Sequence, residues 1–134
     1  MQWQLILSSM VYTGIVLVKV DEMQQAEACR QMVVDALEDL KAVDIVGLDV
    51  RDRASFTDFM VFASGTSSRH VGAIAESVIA RSTASDTPPM GVEGDDIGEW
   101  ILIDLGDVVV HIMLPEVRAY YELEKLWGEE LVNP

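Results

Sequence analysis

The chain has 134 residues, half of them hydrophobic, and nine Lys and Arg against 23 Asp and Glu give a formal charge of −14. One domain is expected at this length, burying roughly two-thirds of its unfolded surface, and so few cations argue against direct nucleic-acid binding and against anionic membrane surfaces. The acid keeps the domain soluble and also suits a basic protein partner; the lone Cys29 excludes an internal disulfide and fits a reducing, cytoplasmic setting, and the two histidines lie too far from it for a zinc pattern, so no metal or cofactor is expected.

Residues 5–18 are mostly apolar, but Ser8, Ser9, Thr13 and Gly14 interrupt them. The run is too short to span a bilayer, and no basic residue precedes it as a signal peptide requires. The expectation is an N-terminal extension over 1–22, from a misassigned start codon, with the folded domain over 23–134. Over 24–41, Cys29, Met32, Val33, Ala36, Leu37 and Leu40 fall at i, i+3, i+4, i+7 spacing and predict a helix with one apolar stripe. Cys29 lies on that stripe as an inert core residue.

Asp44–Val50 reads as a first strand and Arg51–Thr57 as a polar connection. Phe59–Ala63 is apolar on both faces and predicts a central, covered strand. Ser64-Gly65-Thr66-Ser67 turns the chain into a second helix, with Thr66 or Ser67 as cap and Val71, Ile74, Ala75, Val78 and Ile79 as its buried stripe. The Ser/Thr-rich stretch 82–90, with Pro88-Pro89, is a linker within the domain. A short strand over Met90–Glu93 and a turn at Gly94-Asp95-Asp96 follow. Pro115 then starts a third helix, with Val117, Tyr120, Tyr121, Leu123, Leu126 and Trp127 as a broad apolar surface and Gly128 as its stop. The order α-β-β-α-β-β-β-α predicts an α/β, α+β-like fold: a small mixed sheet of about five strands packed with helices.

The segment from Trp100 to Met113 reads as a β-hairpin. Gly106-Asp107 is a two-residue loop suited to a type II′ turn, and it fixes the register. The facing pairs are Leu105/Val108, Asp104/Val109, Ile103/Val110, Leu102/His111, Ile101/Ile112 and Trp100/Met113. Side chains alternate across a strand, so one face is purely aliphatic: Ile101, Ile103, Leu105, Val108, Val110 and Ile112. The other carries Trp100, Leu102, Asp104, Val109, His111 and Met113. The first face is built for a core, and the second is a candidate partner-binding surface. Trp100 is its natural anchor, since burying about 150–250 Å² at about 25 cal/mol per Å² bounds its contribution at roughly 4–6 kcal/mol. If the third helix covers it, it is ordinary core instead. His111 reads as a surface or interface imidazole opposite Leu102.

Catalysis has weaker support. A nucleotidyltransferase-like site would use a turn such as Gly65-Thr66-Ser67 after a strand, together with paired carboxylates to hold magnesium. Asp95-Asp96 are adjacent in a turn, Asp104 and Asp107 straddle the hairpin loop, and Asp49 stands alone on the first strand. None forms that constellation, so a nucleotidyltransferase-like enzyme is the alternative reading and no catalytic residue is assigned. Arg69 and His70 open the second helix. They offer an anion site at a helix N-terminus or, more plainly, an exposed first turn with His70 bonded to a neighbour.

Several segments together resemble the ribosomal silencing factor (RsfS, Iojap) family. They are Asp35-Ala-Leu-Glu-Asp-Leu-Lys41 leading into Asp44-Ile-Val, Thr57-Asp-Phe-Met-Val-Phe-Ala-Ser-Gly-Thr-Ser-Ser-Arg-His-Val71, Gly91-Val-Glu-Gly94, the whole hairpin from Trp100 to Met113, and Tyr121-Glu-Leu-Glu-Lys-Leu-Trp127. Together they span about residues 24–128, in the order and at the separations the family shows. The resemblance implies a translational repressor, not an enzyme. It would bind the large ribosomal subunit through ribosomal protein L-fourteen and block joining of the small subunit under nutrient limitation. It also implies a fold like that of nucleotidyltransferases without their catalytic acids, and, for some members, a homodimer when free. Trp100 corresponds to the family's tryptophan at the start of the hairpin. Leu102 and Asp104 follow as its neighbours on the same face, and Val109, His111 and Met113 follow from hairpin geometry. The departure from the family is residues 1–22.

Overall fold

Between Ile15 and Asp39 the sequence holds neither glycine nor proline, so nothing interrupts a helix there. In the computed structural model, which describes residues 14–127 and the side chains of 21–126, α1 spans Gly14–Asp39. It therefore begins well before the predicted start at residue 24. The expected extension over 1–22 lies outside the described residues for 1–13. The helix stops where Lys41 turns left-handed (φ 58): Ala42 N–H bonds to the Leu37 carbonyl and Lys41 N–H to that of Glu38. That pair of bonds satisfies the last carbonyls as a Schellman motif does.

The strands follow as β1 (Val43–Asp49) and β2 (Phe59–Ser64), then α2 (Ser68–Ala84), β3 (Gly91–Glu93), β4 (Trp100–Asp104) and β5 (Val108–Met113). Among the described residues they form one mixed sheet in the order β1-β2-β5-β4-β3. β2 and β5 run parallel at its centre and the other neighbours are antiparallel. Every residue of β2 and of β5 is buried, as the double-sided apolar pattern of Phe59–Ala63 requires. Ser67 caps α2, its Oγ accepting the His70 N–H at 3.1 Å.

The β4–β5 pairing reproduces the register set by the loop, from Trp100 opposite Met113 to Asp104 opposite Val109. Leu105 N–H continues the ladder to the Val108 carbonyl at 2.9 Å. Gly106 takes the positive φ (+85) that a type II′ loop needs, but the bond that closes the loop is the tighter one from Asp107 N–H to the Leu105 carbonyl. The aliphatic face of the hairpin packs with Phe59, Val61 and Ala63 of β2 against the stripes of α1 and α2 in the main core.

The opposite face is not left open. Parallel pairing sets Met60 beside Val109 and Phe62 beside His111. With Val50 and Met113 these residues make a second, smaller core, which Val117 and Leu123 cover. The single third helix predicted from Pro115 is in fact two, α3 (Pro115–Tyr121) and α4 (Leu123–Trp127). Glu122, left-handed at φ 50, separates them and returns its N–H to the Arg118 carbonyl. The bend lets both short helices follow the sheet.

Candidate partner-binding face

Trp100 opens β4 at the boundary between the second core and the surface. Its indole Nε1–H donates to His111 Nδ1 at 3.1 Å. That bond fixes the neutral imidazole's remaining proton on Nε2. The His111 ring stacks on Phe62 with centroids 4.8 Å apart and planes 10° apart. His111 is 6% exposed, and burial pulls its pKa down to about 4, so the ring is neutral at pH 7.

On its other side the indole meets Tyr121 of α3, centroid to centroid at 5.0 Å, and Tyr121 in turn meets Tyr120 edge-on at 5.0 Å. These tyrosines are 53% and 81% exposed. Trp100 itself is partly buried: the third helical segment leans on it without enclosing it. Arg118 holds that segment down. Its guanidinium donates to both carboxylate oxygens of Glu124, at 2.5 and 3.1 Å, and to Ser64 Oγ at the end of β2, at 3.1 Å.

The six hairpin residues singled out from sequence do share one face, but burial divides them. Val109, His111 and Met113 are buried, and Trp100, Leu102 and Asp104 are partly exposed. The first three therefore support the face from beneath and offer a partner no surface in this fold. His111, expected at the surface opposite Leu102, is opposite Leu102 but lies inside, because the pattern of β5 alone does not reveal that Phe62 lies alongside. Leu102 sits between His111 on β5 and the exposed Glu93 on β3. Asp104 turns its Oδ1 inward to accept the Gly106 N–H at 2.8 Å, capping the hairpin loop. Sequence reasoning placed Tyr120 and Tyr121 only in a general apolar surface. Nothing in the sequence singled out Arg118.

Of the acids considered for metal binding, Asp49 and Asp104 are engaged in contacts of their own. Asp49 pairs with Arg51 at 2.6 Å, and that guanidinium holds its carboxyl below the usual range. Asp107 is raised by burial and by the nearby charges of Asp58 and Glu22. Among the described residues no three His, Cys, Asp or Glu side chains gather as metal ligands would. His70 bonds to its neighbours: Nδ1 accepts the Thr66 N–H at 2.9 Å and Nε2 reaches the Leu40 carbonyl at 2.7 Å, tying the end of α1 to the start of α2. Cys29 packs partly buried beside the main core, its pKa raised to about 11, first by burial and then by Asp107. It stays a thiol.

The family model described as "Ribosomal silencing factor during starvation" matches residues 23–133. The chain belongs to the ribosomal silencing factor family. It is similar to the ribosomal silencing factor RsfS of Chromobacterium violaceum, 46% identical over 98 residues that cover 73% of this chain and 80% of that protein. A crystal structure of a protein from the same organism superposes with a TM-score of 0.75 at 44% identity, covering 76% of this chain and 85% of that one. A mouse protein named for mitochondrial assembly of the ribosomal large subunit is 38% identical over 99 residues, 72% of this chain and 43% of that protein. The matched region of the family includes the whole hairpin, both cores and the Trp100 face.

Proposed function

We propose that this chain is a translational repressor that binds the large ribosomal subunit through ribosomal protein L-fourteen. By occupying that surface it sterically prevents the small subunit from joining, chiefly under nutrient limitation. The observation that carries the reading is the state of Trp100: a large aromatic, hydrogen-bonded to His111 and left partly exposed beside Tyr121. Buried hydrogen-bonded support and partial exposure are what an interface anchor needs. Exposed Glu93, Asp95, Asp96, Glu99 and Glu122 lie on β3, on the loop before Trp100 and beside Tyr121, which favours a basic protein partner over nucleic acid.

Co-sedimentation with separated ribosomal subunits tests the proposal. The chain is expected to travel with the large subunit, and Trp100→Ala to lose about 2 kcal/mol or more of binding while the domain stays folded. Binding to the small subunit alone would overturn the reading. So would undiminished large-subunit affinity in a Trp100→Ala variant with a normal melting curve. The free protein is proposed as a homodimer; sedimentation velocity at rising concentration reads that out.

A further inference from the structure

Trp100 is the first residue of β4, with only the 94–99 loop before it, and a side chain there can turn about its χ angles unless something holds its polar end. The described structure supplies one holder. His111 Nδ1 accepts the indole N–H, and the imidazole cannot easily move, because β5 is buried along its whole length and the ring lies flat on Phe62. We propose that His111 is a positioning residue, whose Nδ1 fixes the Trp100 indole against Tyr121 in the orientation a partner meets.

His111 then acts through Trp100 and touches no partner itself, which accounts for a polar residue in a strand otherwise made of Val, Ile and Met. A phenylalanine there would fill the space and keep the stack on Phe62, but it would leave the indole N–H without its acceptor. Asparagine would place an amide oxygen near the position of Nδ1 and give up the stack. The two substitutions therefore separate hydrogen bonding from packing. The inference rests on the proposed reading of Trp100 as an anchor.

The test uses the full chain, as wild type, His111→Phe and His111→Asn. The indole N–H resonance of Trp100, identified by its disappearance in Trp100→Phe, reports the hydrogen bond. Affinity for isolated large subunits reports its consequence. In His111→Phe the indole signal is expected to move and its hydrogen exchange to quicken, with affinity falling about five- to tenfold, the value of one net hydrogen bond. His111→Asn is expected to recover part of that affinity although it packs less well. Wild-type affinity in His111→Phe would overturn the proposal, as would His111→Asn binding no better than His111→Phe. If the wild type does not bind large subunits, the functional reading fails on its own. The indole signal still decides on His111, because an unmoved resonance in His111→Phe overturns the positioning role.

Discussion

An imidazole pressed between Phe62 and Trp100 takes up a proton only at the expense of its surroundings. His111 titrates near 4 in the folded chain, against 6.5 for a free histidine, so between those values the unfolded chain binds more protons. Its contribution to stability is therefore complete above about pH 6.5 and lost as pH falls toward 4, amounting to about 3 kcal/mol over the window. Urea midpoints measured from pH 7 to pH 4 are expected to fall accordingly, and His111→Phe to flatten that part of the fall. A second residue-scale expectation concerns Asp107, whose carboxylate is crowded by Asp58 and Glu22. Asp107→Asn keeps the shape and removes the repelled charge, so its melting temperature at pH 7 is expected to rise. The alternation of the hairpin shows His111 and Trp100 on one face. It does not show that they bond, because that depends on how deeply each ring lies, and Phe62 and Tyr121, from other elements, set that depth.

At the scale of elements, the register of the hairpin was legible because everything that sets it is local: a Gly-Asp loop, alternation on both strands, and no long-range partner needed. Its surroundings were not. The sequence does not show that β2 lies parallel to β5, and this pairing turns the mixed face into a second core. Nor does an apolar surface over 117–127 show that the helix bends at Glu122. Two substitutions probe these elements. Gly94 has φ +83, and a side chain there would collide with the Trp100 carbonyl. Gly94→Ala is expected to cost about 2 kcal/mol or more in denaturant unfolding, through backbone strain and displacement of the start of β4. Arg118→Met removes the ties from α3 to Glu124 and Ser64. The side chains of the ion pair are 10% and 27% exposed, so the loss is expected to be partial, about 1–3 kcal/mol. It should appear as faster cleavage at Glu122 by a Glu-specific protease and as a moved Trp100 indole N–H resonance.

For the whole molecule, the surplus of acid is the dominant long-range feature. With a formal charge of −14, encounter with a basic partner is expected to depend on ionic strength far more than the complex's lifetime does. Raising salt from about 0.05 M to about 0.5 M shortens the screening length severalfold, so the association rate with large subunits should drop while dissociation changes less. A rate that rises with salt would point to a partner of the same sign. The family match and the sheet agree with the reading of the sequence at this scale, since element order and apolar periodicity are properties of the chain as a whole.

The parallel pair at the centre of the sheet also bears on when the protein becomes competent. β2 ends at Ser64, and β5, its neighbour, begins only at Val108. During synthesis, β1, β2 and α2 emerge without the strand that joins them to the rest, and contacts so far apart in sequence form late. Trp100 gains its acceptor only once His111 has emerged, and Tyr121 comes later still. A nascent chain therefore exposes Trp100 before either of these neighbours is available to it. The aromatic face around Trp100 is therefore among the last parts of the described fold to be completed.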